Sequence, residues 1–538
     1  MTAQKIFDQI LKARGLDGEA KRAFLNPDYE KRHDPFLLPD MKQAVERLVM
    51  AHKKQEHITI YGDYDIDGLT ATTLLLDVLG QFGFTNVEAF IPNRFVEGYG
   101  MTVEAVEKIA ADGANLIITV DCGSLRHEPI TKAKELGVDV IVTDHHNVAP
   151  EQPPAVAVIN PKRLLQDYPD AYDGFVLKNL QEGLYPFLDL PGVGVAFKLV
   201  QALQTKLKGI EPGQEKWLLD LVALGTVCDV VTLIDENRLH VYWGLKVLSK
   251  TRRHGLLSKT RRHGLKALMA VARVVPEKVN ARNLGFALGP RMNAAGRLET
   301  AQIALDMLVS KDGMEALEKA QQLDALNMER RREQDKIYKE AIVQAQSHIH
   351  DDVLVVSSPD WNHGIVGIVA AKLLEKYKKP TFVLQEMGDE AKGSARSYGN
   401  FSAADAIRAA DDLITKGGGH KLAAGLTLPT KNIQAFRERV NKHYSDLKLR
   451  NQAALLLPKA DASAMLEQVT EELVELLASL EPFGNGNSQP VLHTEKLTVL
   501  HVRKMGDSAQ HVKLDLRHED GKTMQFIAFN AHNAVYSF

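Results

Sequence analysis

The amino-acid sequence predicts an α/β protein: a parallel-sheet domain, a second α/β domain joined to it by a long helix, and a small C-terminal β unit. Three observations carry that expectation. From Ile58 to Ile159, five short apolar runs alternate with helix-forming stretches, the pattern of strands covered on both faces. From Ala301 to about His350 runs a proline-free, polar, helical pattern with sparse apolar positions. After Pro482 the chain changes to short alternating runs with a turn at Asp520-Gly521, which read as antiparallel strands. These shifts divide the chain into a helical lead-in (1–55), a first α/β domain (56–300), a connecting helix (301–350), a second α/β domain (351–450), and a helical linker with a partial β domain (451–538).

At 538 residues the chain exceeds a single core and should form several domains. Its 66 basic and 69 acidic residues exclude a uniformly basic nucleic-acid coat but leave room for a local basic groove. Cys122 and Cys228 are the two cysteines, which excludes a disulfide scaffold and fits a reducing compartment. The first residues lack the apolar core of a signal peptide, and no stretch is apolar for long enough to span a bilayer. The expectation is a cytoplasmic protein with no membrane contact.

In the lead-in, Phe7, Ile10 and Leu11 share one helical face, Met41–Met50 forms another amphipathic stretch, and Pro27, Pro35 and Pro39 interrupt the span between. The predicted strands are Ile58–Tyr61, Val87–Ile91, Leu116–Val120, Val140–Thr143 and Ala155–Ile159. Helices are expected over Thr70–Phe82, Thr102–Asp112 and Ile130–Leu136, and Trp217–Val227 reads as helix or strand. In the second domain Val353–Ser357 and Thr381–Leu384 read as strands around a helix over Val366–Tyr377. Lys392–Ser397 and Gly417–His420 read as loops, and residues 430–480 as helices. The runs Leu497–Val502, His511–Leu516 and Met524–Phe529 form the β unit, in the pattern of an open oligonucleotide-binding barrel.

Ligands of a parallel α/β sheet gather beyond the carboxyl ends of its strands. Ile58–Tyr61 ends in Gly-Asp63-Tyr-Asp65-Ile-Asp67-Gly, Leu116–Val120 in Asp121, and Val140–Thr143 in Asp144-His145-His146; Trp217–Val227 leads to Cys228-Asp229. In extended chain, side chains two apart point the same way, so Asp63, Asp65 and Asp67 would converge. Taken alone, that segment also fits an acidic surface turn with Gly68 as a turn residue. Four acidic ends together point to metal ions. Asp and His without thiolate suit Mn²⁺ or Mg²⁺, and two such ions about 3.5–4 Å apart can activate water and stabilise charge on a phosphoryl oxygen.

Other segments carry weaker signals. Pro191-Gly-Val-Gly opens a helix and is either a tight helix start or a set of backbone amides for a phosphate. SKTRRHGL occurs twice, at Ser249–Leu256 and Ser258–Leu265, as a solvent-facing insertion or a basic patch. Arg291, Asn293 and Arg297 are interleaved with small residues, which suggests a tight turn near a ligand. Ser394, Arg396 and the glycines before His420 resemble a phosphate-positioning set.

The motifs Gly62–Gly68, Asp121-Cys-Gly, Asp144-His145-His146 and Leu224–Asp229 resemble, in order, those of the Asp-His-His (DHH) phosphoesterase superfamily. Gly393–Ser397 and Gly417–His420 resemble its associated DHHA1-type domain. Gly289–Arg297, Gly364–Ala370 and Pro482–Asn487 are similar to its long bacterial members, which degrade single-stranded DNA. The resemblance implies a 5′→3′ exonuclease that uses two divalent ions, Mn²⁺ or Mg²⁺, and releases 5′-mononucleotides in recombination and repair. It assigns the metal ligands to Asp65, Asp67, Asp121, His145, His146 and Asp229, with Asp63 beside them and Asp144 orienting a histidine. It places Ser394, Arg396, Gly418, Gly419 and His420 at the substrate, where Arg291, Asn293 and Arg297 would assist. A monomer partnered by a single-stranded-DNA-binding protein is implied as well. Rival expectations are a hydrolase of short oligonucleotides or cyclic dinucleotides, and a catalytically silent DNA-binding scaffold. Three departures stand out: Ile66 where the family has alanine, the duplicated SKTRRHGL, and a β domain short of its closing strands.

Overall fold

The computed structural model describes residues 2–93, 100–179, 182–249, 262–449, 452–456, 459–506, 509–529 and 531. The apolar run at Ile58 forms strand β1 (Ile58–Gly62), buried at every position. With β2 (Val87–Phe90), β3 (Leu116–Val120), β4 (Asp139–Thr143) and β5 (Ala157–Ile159) it makes a parallel sheet of order β2-β1-β3-β4-β5. Because β2 and β3 flank β1, the order reverses there, which is the position where α/β sheets gather their ligands.

Helix α1 (Ile66–Gln81) begins four residues before the start predicted from sequence. The reason is local: Asp65 is its N-cap, with Oδ1 accepting the amides of Asp67 (2.9 Å) and Gly68 (3.1 Å). The three acids are therefore brought together by a strand-to-helix turn, not by extended chain. Gly68 is helical rather than a turn residue, and a Cβ there would lie 2.5 Å from Asp63 O and 2.7 Å from Asp63 N. Ile66 is buried, and its Cδ1 abuts Gly289.

Helices α2 (Gly192–Leu203) and α3 (Leu219–Cys228) pack against α1 and are almost wholly buried. The ambiguous Trp217–Val227 segment is thus helical, led in by a 3₁₀ turn. Helix α4 (Gly289–Leu298) follows a π-helical turn, and α5 (Gly313–Ser347) is the long connecting helix, its N-terminus capped by Asp312. A separate short helix, Gln302–Val309, precedes it.

The second sheet contains β6 (Leu354–Ser358), β7 (Thr381–Met387), β8 (Glu390–Arg396), β9 (Lys416–Gly419) and β10 (Ala423–Pro429), with helix α6 (Val366–Tyr377) between β6 and β7. Its order is β9-β10-β8-β7-β6. The expected loops at Lys392–Ser397 and Gly417–His420 are instead mainly strand. Residues Lys392–Arg396 pair with β7 on one side and β10 on the other, so their backbone groups are satisfied in the ladder despite glycine and charge. Within 430–480, the described residues are α-helical over Ile433–Asp446 and Glu471–Ala478, with short 3₁₀ turns and a two-residue strand between them.

Residues His33–Val231 and Gly244–Leu457 form one compact unit. The other comprises residues 1–32, 232–243 and 458–538. In it Ile6, Phe7, Ile10 and Leu11 pack with Leu473 and Leu480. Arg238 donates to the carbonyl oxygens of Phe24, Leu480, Glu481 and Pro482, tying three separated pieces of chain together. The strands β11 (Leu497–Met505), β12 (His511–His518) and β13 (Thr523–Ala528) make a three-stranded antiparallel sheet. Most of the duplicated SKTRRHGL, residues 250–261, lies outside the described residues.

Candidate metal centre

The acidic groups are delivered by several separate elements. Asp63 and Asp65 follow β1, Asp67 lies in the first turn of α1, Asp121 follows β3, Asp144-His145-His146 follow β4, and Asp229 caps the C-terminus of α3. Asp121 adopts a left-handed conformation (φ 61°), which aspartate tolerates better than bulky residues. Val230, directly after Asp229, is also left-handed (φ 62°), a strained state for a β-branched residue and common near functional sites.

These side chains converge. His145 Nε2 lies 3.1 Å from Asp121 Oδ1, 3.6 Å from Asp229 Oδ2 and 3.8 Å from Asp67 Oδ2. Among the described residues, three overlapping groups could each hold a metal ion: Asp63, Asp65 and Asp121; Asp121, His145 and His146; and Asp67, His145 and Asp229. Asp63 is therefore as well placed to ligate as its neighbours.

The electrostatics fit a cation. Burial, with the charges of Asp67 and Asp65, pushes Asp121 well above the usual carboxylate range. Burial and the same two acids do so for Asp229. Asp67 is pushed up to about 7 by burial and by Asp65. Burial, and then His146, hold His145 well below its ordinary value, so its ring is neutral and its contacts with the acids are not ion pairs. Asp121 Oδ1 and His145 Nε2 are buried, 3.1 Å apart, and neither makes a hydrogen bond. Lone pairs crowded in this way are costly unless an ion lies among them, and carboxylate with neutral imidazole is the donor set of Mn²⁺ or Mg²⁺. The residues fit two divalent cations.

The fold supplies fixed partners around this core. Asp144 Oδ1 accepts the amides of His145 (2.7 Å) and His146 (3.1 Å) and His146 Nδ1 (2.9 Å), while Oδ2 accepts the Ser124 amide (2.9 Å). Burial alone would raise Asp144, but these bonds overcome it and hold the carboxyl well below its usual range. Burial would likewise lower His146, and the Asp144 bond instead raises it. The Pro191-Gly-Val-Gly amides serve the protein itself: Gly192 N and Val193 N donate to Asp67 Oδ2 (2.5 Å) and Oδ1 (2.9 Å). A Cβ at Gly192 would lie 2.6 Å from Asp121 Cβ, so only glycine allows this approach.

The expected substrate residues lie on β8, on β9 and just after it, and on α4. Ser394 and Arg396 alternate onto one face of β8 against the start of α6 at Gly367, with Gly425 and then Gly418 beside Ser394 in register. Gly418, Gly419 and His420 are exposed. Arg297 donates to Gly364 O (2.9 Å). Arg291 is engaged within the fold, bonded to Asp324 (2.8 Å) and Ala287 O (2.7 Å), and Asn293 is half-buried between the two arginines on α4. None of these eight belongs to the three metal-holding groups. Sequence reasoning missed Ser124, Asn160 and Lys162, and it found Gly192 as a helix start without its bond to Asp67. Of the three missed, only Lys162 carried a usable signal, as a cation just after a strand whose neighbours end in acids.

Buried carboxylates and imidazoles gathered at the switch point of a parallel sheet define a metal-binding α/β protein. The DHH family, N-terminal domain, matches residues 57–226, the DHHA1 domain residues 350–446, and the RecJ OB domain residues 460–537. The single-stranded-DNA-specific exonuclease RecJ of Bacillus subtilis is 38% identical over 97% of this chain, which spans 62% of that protein's length. The Salmonella typhimurium protein of the same name is 35% identical, over 92% of this chain and 84% of its own. RecJ of Thermus thermophilus in complex with Mn²⁺ superposes with a TM-score of 0.75 at 28% identity, covering 98% of this chain and 72% of that one. This chain belongs to the RecJ family of the DHH phosphoesterases.

Proposed function

We propose that the chain is a metal-dependent exonuclease that degrades single-stranded DNA 5′→3′ to 5′-mononucleotides in recombination and repair. The observation that carries this reading is the convergence of three metal-holding groups, sharing Asp121 and His145, in a RecJ-family chain. Asp63, Asp65, Asp67, Asp121, His145, His146 and Asp229 would hold two divalent ions. When bound, Mn²⁺ or Mg²⁺ would activate water and offset charge developing on phosphoryl oxygens.

The remaining work falls to the chain's own groups. Asp144 accepts from His146 Nδ1, which fixes the orientation of the ring beside Asp121 and His145. Asp67 is held by two amides at the start of α2, which fixes its carboxylate before any ligand arrives. Ser394, Arg396, Gly418, Gly419 and His420 would position phosphates along a glycine-lined sheet face, with Arg291, Asn293 and Arg297 assisting at the substrate. Among the described residues no helix is long and apolar enough to cross a membrane. A cytoplasmic monomer working with a single-stranded-DNA-binding protein is the setting this reading assigns.

The test is hydrolysis in Mn²⁺ or Mg²⁺ of 5′- and 3′-labelled single strands, with a duplex control. Release of labelled mononucleotide first from the 5′ end, sparing of the duplex, and loss of both by Asp121→Ala with folding retained are expected. Preference for dinucleotides over long strands, or near-normal turnover by Asp121→Ala, would overturn it.

A further inference from the structure

Asn160 follows β5 and ties that strand end to the histidines. Its Nδ2 donates to His146 O (2.9 Å) and Ser124 Oγ (2.8 Å), and its Oδ1 accepts the Lys162 amide (2.9 Å). The backbone of Lys162 is thereby fixed at the edge of the metal centre. Its side chain is half-buried, and its ammonium lies 5.5 Å from the centroid of the Phe175 ring. Phe175 belongs to a small hairpin in which Tyr172–Asp173 pairs with Val176–Leu177, and its carbonyl accepts the Leu188 amide (2.8 Å).

Among the described residues this ammonium has no ion pair, although acids crowd the site beside it. A lysine serving only as a counter-ion would be expected to close onto a carboxylate. This one is held off by an aromatic face, as a cation waiting for an anion is. With two divalent ions, the five carboxylates of Asp63, Asp65, Asp67, Asp121 and Asp229 keep one net negative charge, and a phosphodiester adds another. A compact ammonium suits that excess.

We propose that Lys162 contacts a non-bridging phosphate oxygen of the DNA strand at the metal centre, with Phe175 positioning its ammonium. The inference rests on the reading of the chain as a hydrolase of single-stranded DNA. It assigns the lysine to substrate rather than to metal.

The experiment compares the full-length chain with Lys162→Gln, Lys162→Arg and Phe175→Leu. It measures kcat and KM on single-stranded DNA in Mn²⁺, the salt dependence of kcat/KM, and Mn²⁺ affinity by calorimetry. Lys162→Gln should lower kcat/KM about 10- to 100-fold, the worth of one charged hydrogen bond. It should flatten the log–log salt slope by about 0.7, the value for one phosphate contact on a single strand. Mn²⁺ affinity should be unchanged or tighter, because a repelling cation is gone. Lys162→Arg should recover most of the loss, and Phe175→Leu should fall between. Unaltered kcat/KM in Lys162→Gln beside an active wild type would overturn the inference alone, as would a loss of Mn²⁺ affinity that accounts for the activity loss. An inactive wild type would overturn the underlying reading and this inference with it.

Discussion

Replacing Asp144 by asparagine keeps the side-chain volume and removes one acceptor and one charge, so it separates orientation of the histidines from metal ligation. All four groups that meet the Asp144 carboxylate are donors: three N–H groups at Oδ1 and the Ser124 amide at Oδ2. An asparagine that keeps its carbonyl toward the histidines must turn its NH₂ toward Ser124 N–H, leaving two donors facing each other in a buried site. The flipped amide meets three donors and is worse. An unmet buried donor costs about 1–3 kcal/mol, and the surviving bonds lose their charge assistance. We expect a stability loss of about 2–4 kcal/mol, read by denaturant unfolding without metal. The His146 tautomer loses its anchor, so Mn²⁺ affinity should fall about 10–100-fold, read by calorimetry. The sign with pH is fixed: the folded carboxyl is held below its ordinary value of 3.8, so the stabilisation is full above that value and disappears as pH falls below it. The wild-type advantage over Asp144→Asn should vanish in acid. A variant with wild-type stability and Mn²⁺ affinity within about twofold would refute the orienting role.

Three further outcomes follow from the same geometry. Gly68→Ala places a Cβ 2.5 Å from Asp63 O, which the start of α1 cannot yield; a stability loss of about 1–3 kcal/mol with weaker Mn²⁺ binding should appear in thermal melts and metal titration, and a stable, tightly binding variant counts against this packing. Asp67, raised from 3.8 to about 7 by burial and Asp65, makes the metal-free fold lose stability as pH rises between those values, so the gain in Tm on adding Mn²⁺ should be larger above pH 7 than below it; an equal gain on both sides would contradict the assignment. Arg262→Ala leaves buried Asp220 without the guanidinium that lies 3.4 Å from it, and should destabilise the fold by about 3–5 kcal/mol in denaturant unfolding; a change under about 1 kcal/mol would show that the pair is dispensable.

The sheet was legible because strands covered on both faces must be continuously apolar, and Leu116–Val120 agrees residue for residue with the observed β3. The acidic centre was legible because a parallel sheet sends its strand ends to one side, which gathers Asp65, Asp121 and His145 from distant positions. Contacts made across the chain were not. Gly192 and Val193 looked like a helix start or a phosphate loop, and nothing local revealed that their amides bind Asp67. Lys392–Arg396 looked like a loop because its glycine and charges mask a strand whose ladder partners lie on either side. Arg291 looked free for a ligand, but Asp324, on α5, takes its guanidinium.

The buried acids divide by how the fold treats them, and the division says where cations are needed. Asp65 caps α1, Asp67 sits on the amides opening α2, and Asp144 accepts four N–H groups. Backbone dipoles thus offset part of each of these charges in the folded protein. Asp121 has no comparable offset: its Oδ1 is buried without a hydrogen bond, against a neutral imidazole nitrogen held equally bare. A fold that satisfies Asp144 with four donors and leaves Asp121 Oδ1 with none treats the two acids as different parts. The first fixes geometry through protein contacts alone. The second, shared by two of the three metal-holding groups, is stable as a carboxylate only when a cation completes it. Asp121 is therefore the residue on which the metal pair and the protein scaffold most directly depend on each other.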